Sequence, residues 1–298
     1  MSTFASLVRG ARQASHFPPT IAVTLAAVVL AAVAGRGLGT LWVGLAVLAG
    51  QFSVGWSNDW FDAERDRLGG RNEKPIVAGL ISRKAVRNGA LAALALCVPL
   101  SFLSGWRAAL VHLIAVAGAW AYNGGLKSTW WSPLPYALAF SLLPAFVTLG
   151  LAHHPLPPWG IVLGAGAIGI GAHFINTVGD QAIDKANRVD GFPQRLGPQW
   201  SLKLGVGFLG GAALALGFGS NAHRVVVGVF VALALGVDGL VVFFSLRSRG
   251  AWAWRATLLA GLLCLAIFIV GGHHLVDAHA ALAKSEVVGL HARADVKS

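Results

Sequence analysis

The sequence predicts an all-α, polytopic membrane protein with about nine transmembrane helices. Composition is the first reason: 56% of the 298 residues are hydrophobic and only 12% are charged, about half the charged share of a soluble domain. Spacing is the second: apolar runs near the roughly 17–25 residues needed to span a bilayer recur along the chain, separated by brief polar loops. The third is the lopsided placement of the basic residues.

The predicted spans are 18–34, 38–56, 85–103, 107–123, 134–152, 158–178, 201–218, 225–244 and 252–271. Arg9 and Arg12 before an apolar run ending Ala32-Val33-Ala34 allow a signal-peptide reading of the first. Eight further spans make a cleaved leader unnecessary. With no long linker, residues 1–271 read as one domain and 272–298 as a C-terminal tail. The tail's His273, His274, His279 and His291 have irregular spacing and no framing acid, which argues against a metal cluster. Cys97 and Cys264 both fall inside apolar runs and give neither a disulfide framework nor a metal spacing.

A formal net charge of +11 raises the question of nucleic acid. The distribution answers it. With the N-terminus inside, 17 of the 23 Lys and Arg fall on the inner side and 6 on the outer, the positive-inside bias of a membrane protein. The expected partner is therefore the lipid bilayer, and no nucleic acid. Most of the eleven tryptophans lie near span ends, as interfacial anchors do. Arginine and alanine dominate over lysine, which points to a GC-rich bacterial genome and so to a plasma membrane, with the N-terminus cytoplasmic.

The acids carry the functional signal. Of twelve, Asp59, Asp62, Glu64, Asp66 and Glu73 follow the second span, and Asp180, Asp184 and Asp190 follow the sixth. Both groups fall on the inner, cytoplasmic side. Each segment has an Asn, an Asp four residues on and another Asp four further: Asn58, Asp62, Asp66 and Asn176, Asp180, Asp184. The even number of intervening spans makes the two helices parallel and is compatible with an internal repeat. Residues four apart share a helix face, so each trio forms a stripe of oxygen ligands. Facing carboxylates need a cation between them, and Mg²⁺ takes oxygen ligands while keeping places for water and phosphate. Solvated acidic loops paired with local arginines are the plain alternative; two matched loops in an acid-poor chain weigh against it.

Cations stand nearby: Arg65, Arg67, Arg71 and Lys74 after the first motif, Lys127 after the fourth span, and Lys185, Arg188 and Arg195 after the second motif. Such groups stabilise a departing diphosphate. Lys127 stands out because it is nearly alone in its loop, with Arg71 and Lys74 next.

These residues resemble the UbiA-type intramembrane prenyltransferases. The family's Asn-Asp-x-x-Asp-x-x-x-Asp motif is matched by Asn58, Asp59, Asp62 and Asp66, and its Asp-x-x-x-Asp by Asp180 and Asp184. Arg71-Asn72-Glu73-Lys74-Pro75 is similar to its Arg-x-x-(Arg/Lys)-Pro stretch, and Tyr122 with Lys127 to its Tyr-x4-Lys. One departure is Ala63 where the family often has Arg, with Arg65 following later. The resemblance implies that Mg²⁺, held by Asn58, Asp62, Asp66, Asp180 and Asp184, binds a prenyl diphosphate donor. With Lys127 these make the catalytic set. Asp59, Arg65, Arg71, Lys74, Tyr122, Asn176 and Lys185 are implied to bind substrate, with Asp59 behind the metal stripe. Ionisation would leave an allylic cation for attack by a small, usually aromatic acceptor, in an apolar cavity that excludes water. Tyr122, Asn123, His173 and Asn176 either line that cavity or are satisfied interhelical polar groups. Two other classes stay open. One is a terpene cyclase using the same diphosphate site. The other is an ion or solute transporter, which the position of the acids at helix ends disfavours.

Overall fold

The computed structural model describes residues 4–179, 181, 184, 189–218, 224–247, 252, 255–257, 259–264 and 266–267. Asp180, Lys185, Arg188 and the whole C-terminal tail lie outside the described residues. The described chain is helical, without a strand: α1 (Phe4–Ala14), α2 (Phe17–Val33), α3 (Gly39–Leu68), α4 (Arg83–Phe102), α5 (Trp106–Asn123), a 3₁₀ turn (Leu126–Ser128), α6 (Leu134–Thr148), α7 (Trp159–Val178), α8 (Phe192–Leu196), α9 (Pro198–Phe218) and α10 (Arg224–Leu246). The first eight predicted spans each fall on one helix, from α2 through α7 and then α9 and α10.

Among the described residues, α3, α4, α7, α9 and α10 are long and apolar enough to cross a bilayer, and the bent pair α1–α2 would make a sixth. Their outward faces invert the pattern of a soluble protein. Leu25, Leu41, Leu96, Leu110, Leu163, Val225 and Leu233 are each more than half exposed. Rows of exposed aliphatics on several helices suit lipid and would be a liability in water.

Inside, one core joins α2, α3, α5 and α6 through Leu30, Val43, Val47, Ala108 and Phe146. Two further clusters join α7, α9, α10 and the described residues beyond Arg255, one through Ile161, Leu216 and Ile267 and the other through Leu209 and Val241. Close approach between helices rests on small residues, as is usual where lipid supplies no hydrophobic drive. A methyl at Gly169 would meet the Tyr136 carbonyl at 2.5 Å, and one at Gly171 the Gly205 carbonyl at 2.8 Å. These contacts set α7 tightly against α6 and α9.

The acidic segment after the second predicted span is helical as far as Leu68, and only Glu73 lies in the turn beyond it. Helix α3 runs for 30 residues and carries the whole first motif on its last turns. Pairs three residues apart, Asp62 with Arg65 and Glu64 with Arg67, support those turns. Gly69 then caps the helix, and Gly70, at φ 68°, turns the chain away.

Candidate active site

Asn58, Asp62 and Asp66 occupy one side of α3, and each reaches a different partner. The Asn58 amide donates to Asn123 Oδ1 (3.0 Å), while the Asn123 amide donates to the Val54 carbonyl (2.9 Å) and Ser57 Oγ (2.8 Å). Asn123 is thus a satisfied interhelical group. It fixes the Asn58 side chain with its nitrogen committed and Oδ1 available as an acceptor.

Asp62 takes the Lys127 ammonium on both oxygens, at 2.6 and 2.5 Å, and Arg65 at 3.1 Å. Lys127 reaches it because Gly124-Gly125 ends α5. Gly125 sits at φ 147°, a conformation glycine tolerates, and the 3₁₀ turn brings Lys127 back beneath α3. Lys127 is only 6% exposed. Burial pulls its pKa below the ordinary lysine value, and the Asp62 carboxylate opposes that pull. Asp66, also buried, pairs with Arg71 at 3.4 Å, and Arg71 reaches Glu73 at 3.2 Å.

Asp59 faces elsewhere. Only 2% exposed, it accepts from Lys74 Nζ (2.8 Å) and meets His16 Nε2 (3.1 Å). Two of the residues expected to bind substrate are therefore engaged with each other. His16 carries no sequence signal beyond preceding Phe17-Pro18-Pro19, and pattern reasoning missed it.

Asp184 of the second motif is held by α8. Gln194 donates to Asp184 Oδ2 (2.8 Å), and the Asp184 carbonyl accepts from Val189 N (2.8 Å). Gln181 donates to the Pro193 carbonyl (3.1 Å) and Ser201 Oγ (2.9 Å). Asn176 is exposed near the end of α7. Gln194 and Gln181 also went unnoticed in the sequence, where a lone glutamine carries no positional signal.

The two halves meet beside Lys127. Gly191 packs on the Lys127 carbonyl so closely that a side chain there would overlap it. Phe192 N donates to Ser132 Oγ (3.1 Å), which also contacts His173 Nε2 (3.2 Å). His173 stacks on Tyr136 at 4.6 Å, and Tyr122 stands edge-on to both rings at 5.2 and 5.7 Å. The Tyr122 phenol lies within electrostatic reach of both Asp62 and Asp184. The three rings pack as one aromatic cluster next to the Ser132–Phe192 contact.

The donor set suits a hard cation. Asn58, Asp62, Asp66 and Asp184 offer only oxygen, as Mg²⁺ prefers. The described residues alone bring no three acidic, His or Cys ligands together. Mg²⁺ does not require such a cage, since it keeps waters and phosphate oxygens among its ligands.

No curated protein matches the chain significantly. Solved structures do. A UbiA homologue from Aeropyrum pernix K1, in its apo form, aligns with a TM-score of 0.70 at 20% identity over 84% of this chain and 97% of that one. A digeranylgeranylglyceryl phosphate synthase aligns with a TM-score of 0.66 at 16% identity over 90% and 99%. A UbiA homologue from Archaeoglobus fulgidus bound to GPP and Mg²⁺ aligns with a TM-score of 0.65 at 20% identity over 91% and 99%. The family profile matches residues 17–262, most of the chain, and by it this protein belongs to the UbiA prenyltransferase family.

Proposed function

We propose that the protein transfers an isoprenyl group from a prenyl diphosphate to an aromatic or other small acceptor, at a Mg²⁺-dependent site on the inner side of a nine-span bundle. The observation that carries this reading is the convergence at Lys127. Its ammonium lies on Asp62 of the first motif, while its carbonyl lies against Gly191 in the segment that holds Asp184. One buried cation thus joins the first acidic motif to the segment whose Gln194 holds Asp184. The Archaeoglobus fulgidus homologue bound to GPP and Mg²⁺ supports the same substrate class.

In this reading Asn58, Asp62, Asp66, Asp180 and Asp184 hold the metal, which when bound neutralises the diphosphate as it departs. Lys127 and Arg65 share Asp62 and donate to diphosphate oxygens from there, and Arg71, Lys185 and Asn176 are assigned to the same substrate. The Tyr122 and Tyr136 rings offer π faces to the allylic cation, and the apolar bundle keeps water from it.

The test is turnover of a labelled prenyl diphosphate by purified protein, with and without phenolic acceptors. Acceptor-dependent prenylated product with loss of all turnover in excess chelator is expected. A cyclic hydrocarbon formed without acceptor would assign the site to a terpene cyclase. Full turnover in chelator would remove the metal from the reading.

A further inference from the structure

Helix α1 is amphipathic, and most of its apolar side is uncovered. Gly10 packs on Leu80 and Ile81, where an added methyl would come within 3.2 Å of both, and Ala14 is fully buried. Beside this packed strip Phe4, Leu7 and Val8 are 83%, 37% and 52% exposed. Arg9, Arg12 and Gln13 fill the opposite arc. The helix then breaks and meets α2 at 61°. An apolar strip beside an arginine-bearing face, bent sharply away from the apolar α2 that carries the first predicted span, has the form of a helix lying in a membrane interface.

The break connects this helix to the site. His16 sits at the corner in a left-handed conformation, φ 50° and ψ 53°. The corner is pinned by Thr20 Oγ1 donating to the Ser15 carbonyl (2.8 Å) and by Trp56 Nε1 donating to the Ala11 carbonyl (2.9 Å). Gly55 lets α3 approach, since a methyl there would meet the Ser15 carbonyl at 2.6 Å. In this position His16 reaches Asp59 Oδ1, the same oxygen that Lys74 takes from the far side. Lys74 belongs to the 69–82 segment, which also carries Arg71 to Asp66, and Leu80 and Ile81 return it to α1. The segment is thus tied to α3 through Lys74, on the oxygen that His16 also reaches, and to α1 through Leu80 and Ile81.

We propose that α1 is seated in the headgroup layer of the bilayer through Phe4, Leu7 and Val8, and that its corner, through His16 and Asp59, holds the Lys74 segment beside the first acidic motif. His16 and Asp59 are positioning residues: they act through the segment that presents Arg71, not on the substrate. The occupant of the α1 face is lipid because the face adjoins the apolar α2 and pairs its apolar strip with arginines, which favour the headgroup region.

Two measurements test this in a Cys97→Ala, Cys264→Ala background, reconstituted in mixed phosphatidylcholine and phosphatidylglycerol vesicles. A nitroxide at Val8→Cys should be relaxed more by oxygen than by a water-soluble nickel complex, and one at Gln13→Cys the reverse. Equal access of the nickel complex to both sites overturns the interfacial seat. A nitroxide at Ala78→Cys reports the segment. Its spectrum should sharpen on adding His16→Ala or Val8→Glu, while His16→Gln, which keeps a donor toward Asp59, should restore it. An unchanged spectrum in both damaging variants overturns the coupling. Neither arm depends on turnover, so they stand apart from the transferase reading. A third arm rests on that reading: His16→Ala should raise KM for the prenyl diphosphate about tenfold and leave kcat within about twofold. An equal fall in kcat and kcat/KM would place His16 in the chemical step and overturn its positioning role.

Discussion

At the scale of residues, the separation between Asp59 and Asp62 organises the first motif. They are three apart on α3, yet Asp59 turns to the N-terminal corner and Asp62 to Lys127. If Asp62 and Asp180 hold metal on one shared diphosphate, each loss leaves the leaving group poorly neutralised. Groups acting as a unit give non-additive losses. We expect Asp62→Ala and Asp180→Ala each to lose about 10²-fold or more in rate, the scale of removing one transition-state stabiliser, and the double variant to be little worse than the poorer single. Steady-state rates in one detergent preparation check this, and near-normal rates for both folded singles would refute the shared clamp. Lys127→Ala separates chemistry from folding. Breaking a buried ion pair commonly costs about 3–5 kcal/mol, but Asp62 keeps Arg65 at 3.1 Å. The stability loss should therefore fall below that range, while turnover falls about 10²-fold. Thermal melting beside kinetics measures both. Unchanged kinetics would reduce Lys127 to a topological charge.

At the scale of elements, the tight places are where helices or their connections touch through glycine. Gly191 lies against the Lys127 carbonyl, whereas a methyl at Gly179 would meet nothing within 4 Å. Gly191→Ala should cost about 1–3 kcal/mol, the usual range for overpacking, and lower activity by displacing Lys127. Gly179→Ala should be near neutral in both. Paired melting curves and rates decide, and equal behaviour of the two variants would contradict the Lys127–Gly191 contact as the joint between halves. The helices themselves were legible, because hydropathy and length suffice to place an apolar segment. The extension of α3 to Leu68 was less so: its last turns are polar and are held by side-chain pairs and a glycine cap instead of lipid. The stripe of Asn58, Asp62 and Asp66 followed from helical period. The pairing of Asp59 with His16 did not, because it depends on a corner between α1 and α2 that no local pattern encodes. Gln194 on Asp184 is likewise a contact made by tertiary packing.

At the scale of the whole molecule, contacts across the chain order the connections at one end of the bundle. His16, before α2, touches Asp59 near the end of α3. Lys127, after α5, touches Asp62. Gly191, after α7, touches Lys127. Each step skips two predicted spans, so the N-terminal corner and both acidic segments share one side of the membrane. Contacts alone leave open which side that is. We propose that it is the inner one, because the nine-span reading assigns 17 of the 23 basic residues to this side. We expect Gly69→Cys and Asn187→Cys to react with a membrane-impermeant maleimide in inverted vesicles and to resist it in right-side-out ones. Background labelling should be low, since Cys97 and Cys264 are both buried. Reaction of the two sites from opposite sides would break the even spacing between the motifs, and with it the nine-span order. Reaction of both from the outside would keep that order and invert the bundle, placing the diphosphate site on the face away from the cytoplasm.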